Sequence, residues 1–117
     1  MTDRAQLGAR AEALVALHLE RDGFVLLAKN ARVGRLEIDL VARRGRLVVF
    51  CEVRARTSDA FMSPAESIDR RKRERIRRAA AGWLRAARLG DVDVRFDAAS
   101  VVFDTPSGRL TYYDNAF

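Results

Sequence analysis

Glu37, Asp39 and Glu52 are three carboxylates set in two short apolar segments of the stretch LEIDLVARRGRLVVFCEVRAR (36–56), and Arg54 follows the third by two positions. A carboxylate taken out of water without a partner is costly, so acids inside strand-like segments need an explanation. Successive strand side chains point to opposite faces. In the first segment Leu36, Ile38 and Leu40 then share one face, and Glu37 and Asp39 the other. In the second, Leu47, Val49, Cys51, Val53 and Ala55 take one face, and Val48, Phe50, Glu52, Arg54 and Arg56 the opposite one. A hairpin turning near Gly45 brings Asp39 beside Glu52, which gathers Glu37, Asp39, Glu52 and Arg54 in one patch. Clustered acids repel and raise one another's pKa unless a cation shares the site. Mg²⁺ suits such a patch, because it binds through one or two carboxylates and keeps positions for water and phosphate; the Val53 carbonyl could add a ligand. The ion would lower the pKa of a bound water and stabilise charge on a phosphoryl oxygen. The plainer alternative pairs Glu52 with Arg54, Arg56 or another arginine in a polar rim.

The elements that must position these groups follow from periodicity. Residues 3–22 predict a helix, with Leu7, Ala11, Leu14, Val15 and His18 on one stripe and Gly23 as its stop. On that stripe His18 reads as a packed helix histidine rather than a ligand. Residues 24–29 predict a strand and 30–34 a loop, before the hairpin hinged at Arg44-Gly45. "SPAE" at 63–66 is a capping box that opens a second helix, expected to run to Leu89 with Gly90 as its left-handed cap. Ala65, Ile68, Ile76, Ala79, Ala80, Trp83, Leu84 and Ala87 form its apolar stripe. Lys72 falls four residues from both Ile68 and Ile76, on the side facing the sheet. From there it either reaches the acidic patch or lays its stem on the core and keeps its ammonium in solvent. Strands over 92–103 and 109–113, joined by a turn at 106–108, complete an αβββαββ order. The expectation is one α/β domain over residues 1–117 with a mixed sheet flanked by helices.

Composition bounds the chemistry. At 117 residues, 49% hydrophobic and 32% charged, the chain is globular in character. No apolar run approaches the ~20 residues of a membrane span, and the first twenty residues lack the apolar block of a signal peptide, so no membrane partner and a cytoplasmic location are expected. One cysteine excludes an intrachain disulfide and a multi-cysteine zinc cluster, and one histidine excludes a His-rich metal site. The net charge of +6 favours polyanionic partners, nucleic acid first. All cations but Lys29 and Lys72 are arginine; arginine forks onto phosphate well, although an arginine-favouring coding bias explains the same count. "RRKRERIRR" at 70–78 puts Arg70, Arg71, Arg73, Arg75, Arg77 and Arg78 around one helix, a flank for phosphate contacts that carry no sequence information. A solvated amphipathic face is the alternative. Aromatic residues do not interleave with these cations, so a base-stacking platform is not indicated.

"GARAE" in the first helix, "NAR…EIDLVA", "VVFCEVRAR", the "SP-AES" stretch with Lys72, "RFD" at 95–97 and the terminal "NAF" occur in one order. Together they resemble the YraN-type family of small bacterial proteins, over essentially Gly8 to Phe117. That resemblance implies a restriction-endonuclease-like fold, similar in layout to archaeal Holliday-junction resolvases and the wider PD-(D/E)-x-K nucleases. It would make Asp39 the motif aspartate and Glu52 the acid of the E-x-K element. Both would be metal ligands, with Glu12 the helix acid approaching the metal and Glu37 the acid of the family's G-E-I-D-L run, whose glycine is Leu36 here. Arg54 stands in the place of the motif lysine. A guanidinium stays protonated, so Arg54 can anchor phosphate or stabilise charge but cannot act as a general base.

The expected function is a Mg²⁺- or Mn²⁺-dependent endonuclease-like protein that acts on or binds branched or structured DNA. Glu12, Asp39 and Glu52 would hold metal, Arg54 and Lys72 would stabilise phosphoryl charge, and the arginines of 70–78 would dock the backbone. A homodimer is implied by resemblance to the resolvases. The alternatives are a nucleic-acid-binding module on a nuclease fold without useful catalysis, and an interaction protein whose basic flank meets an acidic protein.

Overall fold

A computed structural model of the chain describes residues 4–57 and 69–117. Helix α1 spans Arg4–Arg21 and buries Leu7, Ala11, Val15, Ala16 and Leu19. His18 is not on that buried stripe; its ring is exposed and stacks on Tyr112, with centroids 4.8 Å apart. The helix ends in a Schellman turn. Gly23 at φ +86° donates to the Glu20 carbonyl, and Phe24 donates to that of Leu19.

Strand β1 covers Val25–Val33, so the expected loop at 30–34 is mostly strand. Two irregularities let it curve: the register shifts between Leu26 and Ala28, and Asn30 takes a left-handed φ of +51°. Strands β2 (Leu36–Arg44) and β3 (Leu47–Arg56) form the hairpin read from the sequence, turning at Gly45 and Arg46. Strands β4 (Asp93–Val102) and β5 (Arg109–Tyr113) follow helix α2, which spans Arg70–Ala87. The sheet order is β1-β2-β3-β4-β5, antiparallel throughout except for the parallel β3–β4 pair. This αβββαββ order with a mixed five-stranded sheet is compatible with a restriction-endonuclease-like fold.

The capping box at 63–66 lies outside the described residues. A single helix from Ser63 to Leu89 does not form, because Asp69 has extended backbone and caps α2 itself, accepting from the Lys72 amide at 2.9 Å. The other end also differs: Arg88, at φ +52°, is the left-handed cap instead of Gly90.

Among the described residues, one helix covers each face of the sheet. The α1 side packs Ala11, Val15 and Leu19 against Leu40, Val49, Cys51 and Ala99. The α2 side packs Ala79 and Ala80 against Ile38, Val41, Val48 and Phe50. Phe50 is fully buried and meets Trp83 edge-on and Phe96 in a stack; truncating such a side chain costs about 3–5 kcal/mol. Helix α2 lies close enough to β1 that a Cβ on Gly82 would stand 2.7 Å from Val33 Cγ1. A glycine inside a helix, unfavourable by itself, is thus explained by packing.

Among the described residues, one acidic group sits entirely inside. Asp97 is 0% exposed, and Arg95 grips both its oxygens at 2.8 and 2.9 Å. The Tyr112 hydroxyl and the Asn115 amide also donate to it. Burial, together with the nearby Cys51 and Asp97, pushes the Tyr112 hydroxyl far above its ordinary pKa, so it keeps the proton it donates to Asp97. With four donors the carboxylate is satisfied, which is the condition for burying a charge at all.

Candidate active site

The β2–β3 ladder is paired only as far as Leu40 opposite Cys51. Beyond that pair Asp39 replaces backbone as the acceptor: its Oδ2 takes the Val53 N–H at 2.8 Å. The strict alternation expected for β2 fails here. Ile38 packs on the α2 side and Leu40 on the α1 side, so Leu36, Ile38 and Leu40 do not share one face. A strand that changes face within three residues turns the intervening Asp39 along the sheet toward β3. The second strand keeps its period of two as expected, with Leu47 through Ala55 at odd positions on the α1 side and Val48 and Phe50 on the α2 side.

Asp39 and Glu52 consequently meet. Burial pushes the Asp39 carboxyl from its ordinary value of 3.8 up to about 7, and the charge of Glu52 and a hydrogen bond to it add to the rise. The Val53 amide pulls the other way, and Glu12 contributes a smaller rise. Asp39 is therefore the acid of the two whose charge is costly near neutrality.

Lys72 approaches the pair from α2. Its Nζ lies 2.7 Å from Glu52 Oε1, with the side chains 30% and 13% exposed. Of the two positions open to Lys72 in the sequence, the one reaching the acids is adopted. Asp39, Glu52 and Lys72 line a cleft of about 440 Å³ whose walls also include Glu37 and two arginines, Arg35 and Arg75. Glu37 is solvated and stands 3.7 Å from Arg32. Arg35 sits beside Gly34 in the β1–β2 turn and was not singled out in the sequence; a basic residue at the hairpin tip next to E-I-D was the available signal.

Two expected members do not line this cleft. Glu12 accepts from Asn30 Nδ2 at 3.1 Å, and among the described residues no three His, Cys, Asp or Glu side chains gather closely enough to hold a metal ion. Arg54 is not among the residues lining the acidic cleft. It borders another cavity with Arg4, Leu7 and Gly8, and its Nε is buried without a hydrogen-bond partner among the described residues. The cation beside Glu52 is thus Lys72 from α2, not the residue two positions along β3.

The basic flank of α2 is present as drawn from the sequence. Arg70, Arg71, Arg75, Arg77 and Arg78 are exposed, while Arg73 is half-buried and engaged. Arg70 pairs with Glu74 at 3.5 Å, and Arg77 lies over the Phe96 ring. No helix among the described residues is long and apolar enough to cross a membrane.

Comparison with known proteins places this chain in a family. Residues 11–101 match the model of the uncharacterised protein family UPF0102. A UPF0102 protein of Sorangium cellulosum is 50% identical over 111 residues, covering 92% of this chain and 76% of its own length. A relative in Anaeromyxobacter sp. is 40% identical over 117 residues, covering 98% and 86%. A third, from Geobacter metallireducens, is 37% identical over 111 residues, covering 95% and 91%. The sequence motifs and the matches agree: the chain belongs to the UPF0102, or YraN, family.

Proposed function

We propose that this protein is a divalent-metal-dependent phosphodiesterase that cuts structured DNA at the Asp39–Glu52 pair. The observation that carries this reading is the meeting of two partly buried carboxylates with the Lys72 ammonium in one open cleft. The donor set fits Mg²⁺ or Mn²⁺: two oxygen-bearing side chains crowd into a site where their mutual repulsion raises a pKa, and a divalent cation relieves that repulsion. Asp39 and Glu52 would hold the ion, with Glu12 close enough to add to the local negative field. When bound, the ion supplies Lewis acidity and an activated water.

The chain's own residues do the remainder. The Val53 amide fixes the orientation of Asp39 through Oδ2. Lys72 holds Glu52 and offers an ammonium to the negative charge that builds on a phosphoryl group. Arg54, kept protonated and away from the cleft, takes no part in proton transfer at Glu52. The exposed arginines of α2 supply backbone affinity that does not depend on sequence.

A second reading is favoured by one observation. Lys72 already neutralises Glu52, and the raised pKa of Asp39 leaves less charge to attract an ion. On that reading the protein binds nucleic acid and does not cut it. Incubation of four-way junctions, flaps, duplex and single strands with Mg²⁺ or Mn²⁺ separates the two. Metal-dependent cutting supports the first, and salt-dependent binding without cutting supports the second.

A further inference from the structure

We infer that Arg35 and Arg75 form a two-point phosphate clamp, gripping a nucleic-acid strand from opposite walls of the cleft that holds Asp39 and Glu52. The inference deepens the proposed nuclease reading and rests on the same cleft, but it concerns binding and is tested without cleavage.

A cleft carrying Glu37, Asp39 and Glu52 repels a polyanion, and Lys72 is engaged with Glu52 at 2.7 Å. A phosphodiester strand can approach those acids only where spare positive charge lines the same walls. Most arginines near the cleft are already engaged: Arg32 with Glu37, Arg70 with Glu74, and Arg77 with the Phe96 ring. Arg35 and Arg75 differ. Both line the cleft, both are exposed, and neither has a carboxylate or ring partner among the described residues.

Their placement also separates them. Arg35 sits in the turn between β1 and β2, next to Gly34 at φ +63°. Arg75 sits in the first half of α2, three residues beyond Lys72 and thus on the same side of the helix. One wall of the cleft is a hairpin tip and the other is a helix, and each presents one uncompensated guanidinium. Guanidinium is the side chain suited to forked contact with phosphate oxygens. A strand lying across the cleft would meet Arg35 on one side of the acids and Arg75 on the other, which sets which phosphate faces Asp39.

The test measures binding of a fluorescent single-stranded 20-mer DNA and its duplex, in EDTA, across a salt series. Arg35→Ala and Arg75→Ala are each expected to flatten the plot of log affinity against log salt by about 1, and the double variant by about 2. Arg21→Ala, on α1 and across the sheet, is expected to leave the slope unchanged. Unchanged slopes for the two cleft variants, or an equal change for Arg21→Ala, would overturn the clamp, as would a wild-type protein that binds neither DNA. Circular dichroism of each variant separates a lost contact from a lost fold. Flattened slopes in a protein that cuts nothing would sustain the clamp while removing the hydrolytic reading, so the two stand or fall separately.

Discussion

The Lys72 ammonium lies 2.7 Å from the Glu52 carboxylate and joins α2 to β3 across the acidic cleft, while Arg54, two residues after Glu52, borders a different cavity. The positive charge beside Glu52 therefore arrives from another element. A helix lysine can fill that role because its position is set by packing of α2 on the sheet, through Ile76, Ala79 and Ala80.

Replacing Lys72 by methionine keeps the stem and removes the charge. Turnover in a single-turnover cleavage assay is expected to fall about 10²-fold or more, the usual consequence of losing a preorganised charge at a developing anion, with KM little altered. Lys72→Arg should recover part of the loss. A Lys72→Met protein that cuts at the wild-type rate would remove Lys72 from the mechanism.

Asp39→Asn should stabilise the protein while abolishing cleavage. The folded pKa of Asp39, about 7, stands above its ordinary 3.8. The wild-type protein thus has its full relative stability below pH ~4 and loses some as pH rises through ~7, where the buried group must ionise. An amide carries no such penalty and its oxygen can still accept from Val53. The variant is expected to gain about 1–3 kcal/mol at pH 8 and almost nothing at pH 4. Thermal melts at both pH values check this, and an equal effect at the two would contradict it.

Asp97→Asn tests the buried network. It takes the bidentate carboxylate from Arg95 at a site where the Asp97 side chain is fully buried and that of Arg95 is 22% exposed. A loss of about 3–5 kcal/mol is expected, and Tyr112→Phe should cost less, about 1–2 kcal/mol. Urea denaturation curves showing less than 1 kcal/mol for Asp97→Asn would mean that the network is not structural in this way.

Gly82→Ala should destabilise, against helix propensity. Alanine gains about 1 kcal/mol over glycine within a helix, but its Cβ meets Val33 Cγ1 at 2.7 Å, and overpacking of this kind costs about 1–3 kcal/mol. Val33→Ala in the same chain should restore the gain. A Gly82→Ala single variant more stable than wild type would show that α2 shifts freely over β1.

Much of this arrangement was legible from side-chain periodicity. The faces of β3 followed a period of two from Leu47 to Ala55 because that strand pairs with β4 in unbroken register along its whole length. β2 did not follow it, because its partner β1 carries a register shift near Leu27 and a left-handed Asn30. Neither feature has a sequence signal as strong as a glycine. The break is what turns Asp39 toward Val53, so the site's geometry depends on the least readable part of the sheet. Lys72 could be placed on the sheet-facing side of its helix from spacing to Ile68 and Ile76, yet its choice between solvent and Glu52 needed three dimensions. Arg54 was read one residue at a time along β3, where alternation puts it with Glu52; the cleft does not extend that far. Arg95 and Asp97 share a strand face at i and i+2, a signal that a buried pair was available to be read.

The central claim is that Asp39 and Glu52 form a metal-dependent cutting site. The most direct measurement is cleavage of labelled four-way junctions, flaps, duplex and single-stranded DNA by wild type, Asp39→Ala and Glu52→Ala, with Mg²⁺, with Mn²⁺ and with EDTA. The account predicts cleavage of structured DNA by wild type that requires the metal and disappears in both variants. Cleavage that survives both substitutions, or a correctly folded wild type that cuts none of these substrates with either metal, would contradict it.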